Sequence, residues 1–141
     1  MVSDRIARAV AALPLRPGMR VLEIGCGPGV AARAVARIVG PSGFVLGIDR
    51  SAVAVAQAER GSAAEIAAGM LAFRTVAAEA FRLEGEAPFD LAFALRVGAL
   101  DGRHPAAGAL ALPRIAAALV PGGRLFVDTG DPLTEQPLPP A

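Results

Sequence analysis

A short apolar strand that runs directly into three alternate glycines constrains this chain more than any other feature. The segment reads VLEIGCGPG over residues 21–29, and the helical stretch VAARAVARIV follows it at once. Glycine adopts backbone conformations that other residues avoid, and it lets the main chain approach a ligand closely. A glycine turn between a strand and a helix is typical of ligand crevices at the carboxyl ends of parallel strands. A tight turn that holds no ligand is the alternative.

Strands and helices alternate along the rest of the chain. Apolar runs predict strands over residues 20–24, 44–48, 72–77, 89–95 and 124–128. Helical patterns cover residues 4–13, 30–39, 51–59 and 62–70, and a last helix ends near residue 119, with Pro113 expected in its first turn. This order predicts an α/β fold: a Rossmann-like, doubly wound parallel sheet of about five strands with helices on both faces. The final stretch GDPLTEQPLPPA is expected to form no element.

The composition narrows the class of protein. Hydrophobic residues make up 54% of the 141 positions and the net charge is +1, which favours a compact domain with no basic face for nucleic acid. The single cysteine, Cys26, excludes an intrachain disulfide, and no spacing fits a metal site. No secretory signal is visible, and uncharged stretches such as residues 38–48 are too short to span a membrane. We therefore expect a cytoplasmic protein that binds neither nucleic acid, membrane nor metal.

The spacing of the glycines and an acid after the second strand define the ligand further. Dinucleotide-binding sites typically contain the pattern G-x-G-x-x-G, but Val30 occupies the position of the third glycine. Asp49 closes the second strand, and its carboxylate can accept two hydrogen bonds from a ribose diol. The alternative role for Asp49 is a cap for the following helix. Together with the glycine turn, a ribose ligand is the better interpretation.

Four segments carry a resemblance to a known family. VLEIGCGPG, LGIDRS, FDLAFAL and LVPGGRLFV, in this order over about residues 16–128, resemble the class I S-adenosylmethionine-dependent methyltransferases. The resemblance implies S-adenosylmethionine as cofactor and S-adenosylhomocysteine as product. It gives Glu23 the cofactor's ammonium group as partner, Asp49 the ribose hydroxyls, and Arg50 the adenine face. Glu79 would bond the adenine amino group, with a solvated helix-cap carboxylate as its alternative. The full set of cofactor-binding residues that we expect is Glu23, Gly25, Cys26, Gly27, Gly29, Asp49, Arg50, Ala78, Glu79, Ala80, Leu95 and Arg96.

We expect the charged loop after the fourth strand to contact the molecule that accepts the methyl group. His104, the only histidine, lies there and can act as a general base near neutral pH. A surface histidine without a role is its alternative. Arg96 can orient an acidic acceptor or remain a solvated side chain.

Three functions fit these residues to different degrees. We expect methyl transfer by in-line displacement to an oxygen or nitrogen atom of a small molecule. The alternative is a non-catalytic S-adenosylmethionine- or S-adenosylhomocysteine-binding protein or partner subunit. A dinucleotide-dependent oxidoreductase is disfavoured by the glycine spacing.

The C-terminal segment departs from the family pattern. Members usually add an antiparallel hairpin after the fifth strand, and the 13 residues beyond Asp128 are too few and too rich in proline to supply it. We expect a cofactor-binding domain over residues 1–130 and a proline-rich tail over residues 131–141. The fifth strand would be an exposed apolar edge, so we predict either a homodimer through it or a tail folded across it. The chain is either complete or a fragment, and the sequence identifies neither the acceptor nor the oligomer.

Overall fold

One mixed sheet organises the part of the chain that the computed structural model describes, residues 2–140. Its strands are β1 (Arg20–Ile24), β2 (Phe44–Asp49), β3 (Leu71–Thr75), β4 (Phe89–Ala94), β5 (Leu119–Val127) and β6 (Thr134–Gln136). The helices are α1 (Asp4–Ala12), α2 (Val30–Val39), α3 (Ala52–Gly61), α4 (Ala63–Ala67) and α5 (Pro105–Ala118), with a 3-10 turn at Ala78–Ala80. The strand order is β3-β2-β1-β4-β5-β6, and all neighbours are parallel except β5 and β6. The predicted α/β fold is therefore confirmed, with six strands instead of about five.

Serine caps set the start of two helices where the sequence predicts them. The Ser3 hydroxyl accepts a hydrogen bond from the Ile6 N–H at 3.3 Å, and the Ser51 hydroxyl accepts one from the Ala54 N–H at 3.2 Å. Each bond satisfies a backbone donor that the first helical turn leaves unpaired. None of the helices in the described range is both long and apolar enough to span a lipid bilayer.

Buried side chains pack on both faces of the sheet. Val21 of β1 contacts the cluster formed with α1 and α2, whereas Leu22 and Ile24 belong to the cluster that contains Ile115 of α5. Because side chains of a strand alternate between faces, Glu23 points to the α2 side. β1 lies between β2 and β4, so the direction of winding reverses there, and the carboxyl ends of β1 and β4 are where an open sheet forms its ligand crevice.

Several predicted boundaries are wrong. Pro113 lies inside α5 and not in its first turn, because Pro105 occupies that position. An interior proline is tolerated there on an exposed face of the helix, although it removes one backbone donor. β5 begins five residues before the predicted start at Arg124, since an irregularity in its pairing with β4 takes in the Pro-Gly-Gly segment of residues 121–123. β3 begins at Leu71 and ends at Thr75, and the helix expected over residues 62–70 is limited to α4.

The C-terminal tail forms a strand, contrary to expectation. β6 pairs antiparallel with Leu125–Val127, and the Arg124 guanidinium lies 2.8 Å from the Glu135 carboxylate across the pair. Pro132 and Pro137 flank these three residues without removing their donors, which leaves TEQ free to pair. Of the two predicted alternatives, the tail folded across the β5 edge is the one observed. A homodimer through this edge stays a prediction.

Candidate functional site

A cavity of about 800 Å³ lies at the carboxyl ends of the parallel strands. Its wall is built from the turns that follow β1, β2 and β3, from the loop after β4, and from the first turn of α5. The lining residues are Ile24, Gly25, Ile48, Asp49, Arg50, Val76, Ala77, Ala78, Glu79, Arg96, Val97, Gly98, Ala99, Arg103, His104, Pro105, Ala106 and Ala107. This is the place that the strand order predicts for a ligand.

The glycine turn holds the carboxylate of Asp49 in a fixed orientation. The Gly27 N–H donates to Asp49 Oδ2 at 2.9 Å, and the Ser51 N–H donates to Asp49 Oδ1 at 2.9 Å. A carboxylate has about four lone-pair sites, so each oxygen keeps an acceptor position for a ligand hydroxyl. The residue that caps α3 is Ser51 and not Asp49. The structure therefore leaves Asp49 available for a diol.

Close packing under the turn explains why glycine occupies it. Gly25 has φ 68°, and a Cβ there would lie 2.5 Å from Val97 Cγ2 of the loop after β4. Gly29 has φ 87°, and a Cβ there would lie 3.0 Å from the Phe73 ring. Both positions need a left-handed backbone and lack room for a side chain. The turn can thus bring β1 close to the loop on the acceptor side.

Glu23 lies on β1 next to the glycine turn and, although it does not line the cavity, it is the unusual group of this region. The residue is 3% exposed, and Oε1 has no hydrogen-bond partner among the described residues. Desolvation, followed by the negative charge of Asp49, raises the pKa of Glu23 well above its usual value, and a backbone hydrogen bond from Ala32 opposes the shift. Buried acceptors almost always have a donor. An orphan acceptor next to a glycine turn fits a ligand that supplies a cationic donor, such as an ammonium group.

The loop after β4 forms the opposite wall. His104 precedes α5; its N–H donates to Gly98 O at 2.9 Å, and its ring packs where a Gly98 side chain would lie. Arg96 lines the same wall, and its N–H donates to Asp128 Oδ2 at 2.9 Å. His104 and Arg96 therefore line the same wall of one cavity. Among residues 2–140, no three His, Cys, Asp or Glu side chains group as a metal ion requires.

The structure brings together about half of the residues predicted for the site. Those that line the cavity are Gly25, Asp49, Arg50, Ala78, Glu79, Arg96 and His104. Those that do not line it are Glu23, Cys26, Gly27, Gly29, Ala80 and Leu95. Leu95 belongs to the hydrophobic core, and Cys26 is buried with its thiol 3.6 Å from Gly27 O.

Sequence reasoning missed Gly98 and the first turn of α5, residues 105–107. The loop that follows β4 leads to this turn at the same edge of the sheet as the glycine turn, and that position is the signal that could have found residues 105–107. Gly98 is recognised only from the structure, because its role depends on the ring of a residue six positions later.

The chain is similar to known proteins over most of its length. A family model described as a methyltransferase domain matches residues 15–141. Among solved structures, the [4+2]-cyclase SpnF is 31% identical with a TM-score of 0.71, over 88% of this chain and 43% of that one. A S-adenosylmethionine-dependent methyltransferase from Thiobacillus denitrificans, solved with S-adenosylhomocysteine, is 27% identical with a TM-score of 0.67, over 90% of this chain and 48% of that one.

A curated relative matches a shorter segment. A 37.1 kDa protein of transposon TN4556 from Streptomyces fradiae is 51% identical over 49 residues, which is 35% of this chain and 14% of that protein. The chain therefore spans less than half the length of each of these three relatives.

Proposed function

Because the chain belongs to the class I S-adenosylmethionine-dependent methyltransferases, whose domain model matches residues 15–141, we propose that it methylates an oxygen or nitrogen atom of a small molecule. S-adenosylmethionine is the cofactor of this family, and the product is S-adenosylhomocysteine. The observation that carries the proposal is the buried Glu23 Oε1, which lacks a donor beside the glycine turn.

The residues on the cofactor side match the groups of S-adenosylmethionine in charge and hydrogen-bonding capacity. Glu23 would accept from its ammonium group, and Asp49, oriented by the N–H groups of Gly27 and Ser51, would accept from the ribose hydroxyls. Arg50 and Glu79, which follow β2 and β3 in the cavity wall, would contact the adenine. When bound, the cofactor supplies an activated methyl group on a sulfonium.

The protein's own part in the reaction is to align the acceptor and to handle one proton. Holding two reactants in line contributes about 7–11 kcal/mol to lowering a barrier. His104, positioned in the wall by Gly98, would take the proton that an O–H or N–H acceptor releases.

The volume of the cavity and the net charge of the chain favour a small acceptor. The cavity of about 800 Å³ is within the range of small-molecule sites, and a net charge of +1 gives no footprint for nucleic acid. Cytoplasmic location and a homodimer remain predictions from the sequence.

Calorimetric titration with S-adenosylmethionine and S-adenosylhomocysteine, with NAD as a control ligand, tests the cofactor site. We expect Asp49→Ala to weaken binding by about ten- to a hundredfold, because hydrogen bonds to a charged group contribute about 1.5–3 kcal/mol. Asp131→Ala is the matched control, since Asp131 is exposed and only pairs with Arg8 at the surface. Thermal unfolding of both variants separates lost binding from lost folding.

The outcomes decide between enzyme and binding protein. Release of S-adenosylhomocysteine that depends on an added acceptor, and that falls in His104→Gln, supports the enzyme. Tight cofactor binding with no transfer to any acceptor in a broad panel would favour a non-catalytic binding protein. Absence of binding by the unmodified chain would contradict the proposal.

A further inference from the structure

Arg96 has a strained backbone within the cavity wall. Its φ is 56°, and it is the one residue other than glycine with a positive φ among residues 2–140. A long side chain rarely adopts this conformation, and such residues cluster at functional sites when the surrounding structure imposes them. The position therefore calls for an explanation in terms of function.

Two separate elements impose the conformation of Arg96. Its N–H donates to Asp128 Oδ2 at 2.9 Å, and its carbonyl oxygen accepts from Arg103 Nη2 at 3.1 Å. Arg103 is in turn held by Asp101 at 2.8 Å, and Arg5 lies 3.8 Å from Asp128. The backbone of Arg96 is thus fixed on both sides.

The guanidinium of Arg96 is left for a ligand. It makes no hydrogen bond or ion pair with any residue in the described range, whereas the nearby carboxylates of Asp101 and Asp128 are already engaged. The only carboxylates in the cavity wall, Asp49 and Glu79, follow β2 and β3 on the cofactor side. Among the described residues, the half of the wall formed by the loop after β4 and by α5 contains no carboxylate-bearing residue. Its other guanidinium, that of Arg103, is paired with Asp101, so within the described range the guanidinium of Arg96 is the free positive charge of this half and attracts an anion.

We propose that Arg96 binds an anionic group of the methyl acceptor, so that the acceptors of this protein are organic acids or phosphorylated small molecules. A guanidinium recognises a carboxylate or phosphate through two parallel hydrogen bonds. This inference rests on the proposed function, because it deepens the acceptor side of the same site. The carboxylate of the cofactor's methionyl group is the other source of such an anion, and the experiment distinguishes the two.

The NMR signals of His104, the single histidine of the sequence, report anion binding. His104 lies in the same wall, so its imidazole proton signals in NMR spectra belong to one known residue. The protein saturated with S-adenosylhomocysteine is titrated with benzoate, with its neutral analogue benzamide, and with inorganic phosphate. The pH is held constant throughout each titration, so that a shift of these signals reports binding of the added ligand. We expect saturable shifts with benzoate and phosphate in the millimolar range and none with benzamide.

Substitutions of Arg96 test whether this residue binds the anion. Arg96→Gln is expected to weaken benzoate binding at least tenfold and to change the affinity for S-adenosylhomocysteine by much less than tenfold, contrary to the cofactor-binding role that the sequence predicts for Arg96. Arg96→Lys is expected to keep part of the benzoate binding. Arg96→Gly should remove binding and raise the unfolding midpoint, because glycine relieves the positive φ. Arg114→Gln removes an exposed cation of α5 outside the cavity wall and is the matched control.

Three results would overturn the inference. The first is the absence of saturable anion binding by the unmodified protein, and the second is equal benzoate binding by Arg96→Gln. The third is a tenfold loss of S-adenosylhomocysteine affinity in Arg96→Gln, which would assign Arg96 to the cofactor. If the unmodified protein does not bind S-adenosylhomocysteine, the proposed function fails, and the anion titration without it still tests Arg96.

Discussion

Replacing Glu23 by glutamine should make the ligand-free protein more stable and should weaken its binding of S-adenosylmethionine. Glu23 is 3% exposed, and its Oε1 lacks a partner among the described residues. Glutamine keeps the shape of the side chain and cannot ionise. The variant therefore isolates the cost of keeping an ionisable carboxyl group at a buried position.

The expected gain is moderate. A buried polar group without a partner costs about 1–3 kcal/mol, and the glutamine amide retains a part of this cost. We expect Glu23→Gln to raise the free energy of unfolding by about 1–2 kcal/mol at neutral pH. For a chain of 141 residues, each kcal/mol corresponds to about 3 °C in Tm.

The gain in the free energy of unfolding of Glu23→Gln should increase with pH. Burial and the charge of Asp49 raise the pKa of Glu23 in the folded protein above its unfolded value. The folded state therefore binds the proton more tightly, and this stabilising contribution is complete below the unfolded pKa and is lost as pH rises through the folded pKa. The variant has no such loss, so its advantage should grow with rising pH and then level off.

Denaturant unfolding across a pH series measures this directly, with Glu59→Gln as control, since Glu59 is exposed on α3. The control should change stability by no more than about 0.5 kcal/mol. Addition of S-adenosylmethionine should stabilise the unmodified protein more than Glu23→Gln, because only Glu23 can pair with the ammonium group. A variant that is no more stable at neutral pH, or whose advantage does not change with pH, would refute the reasoning.

Three further predictions follow from buried or paired groups. Burial, followed by the charge of Glu23, raises the pKa of the Cys26 thiol, so a thiol reagent should react with the folded protein far more slowly than with the unfolded chain; equal rates would contradict this. Gly98→Ala should cost about 1–3 kcal/mol and shift the NMR signals of His104, because the new methyl group meets the imidazole, and unchanged signals would count against that packing. A chain ended after Leu133 lacks β6 and exposes the edge of β5, so light scattering should detect self-association, whereas a persistent monomer would show that this edge does not need cover.

Local patterns predicted the centre of the fold closely. β1 and α2 begin and end where the sequence places them, because an apolar run, a glycine turn and a helical repeat are signals within a few residues. β6 was missed because a three-residue strand has no pattern of its own. Its existence depends on β5, which supplies the backbone partners.

The sequence by itself determined the α/β fold, the family and the cofactor, since the residues that carry them are short motifs in a set order. Only the tertiary structure decided which polar groups have partners. Glu23 Oε1 is an orphan because the groups around it come from other elements, and Arg96 is strained because Asp128, 32 residues away in the chain, accepts its N–H. Hydrogen-bond partners across such separations follow from packing, and a single sequence does not contain them in any local pattern.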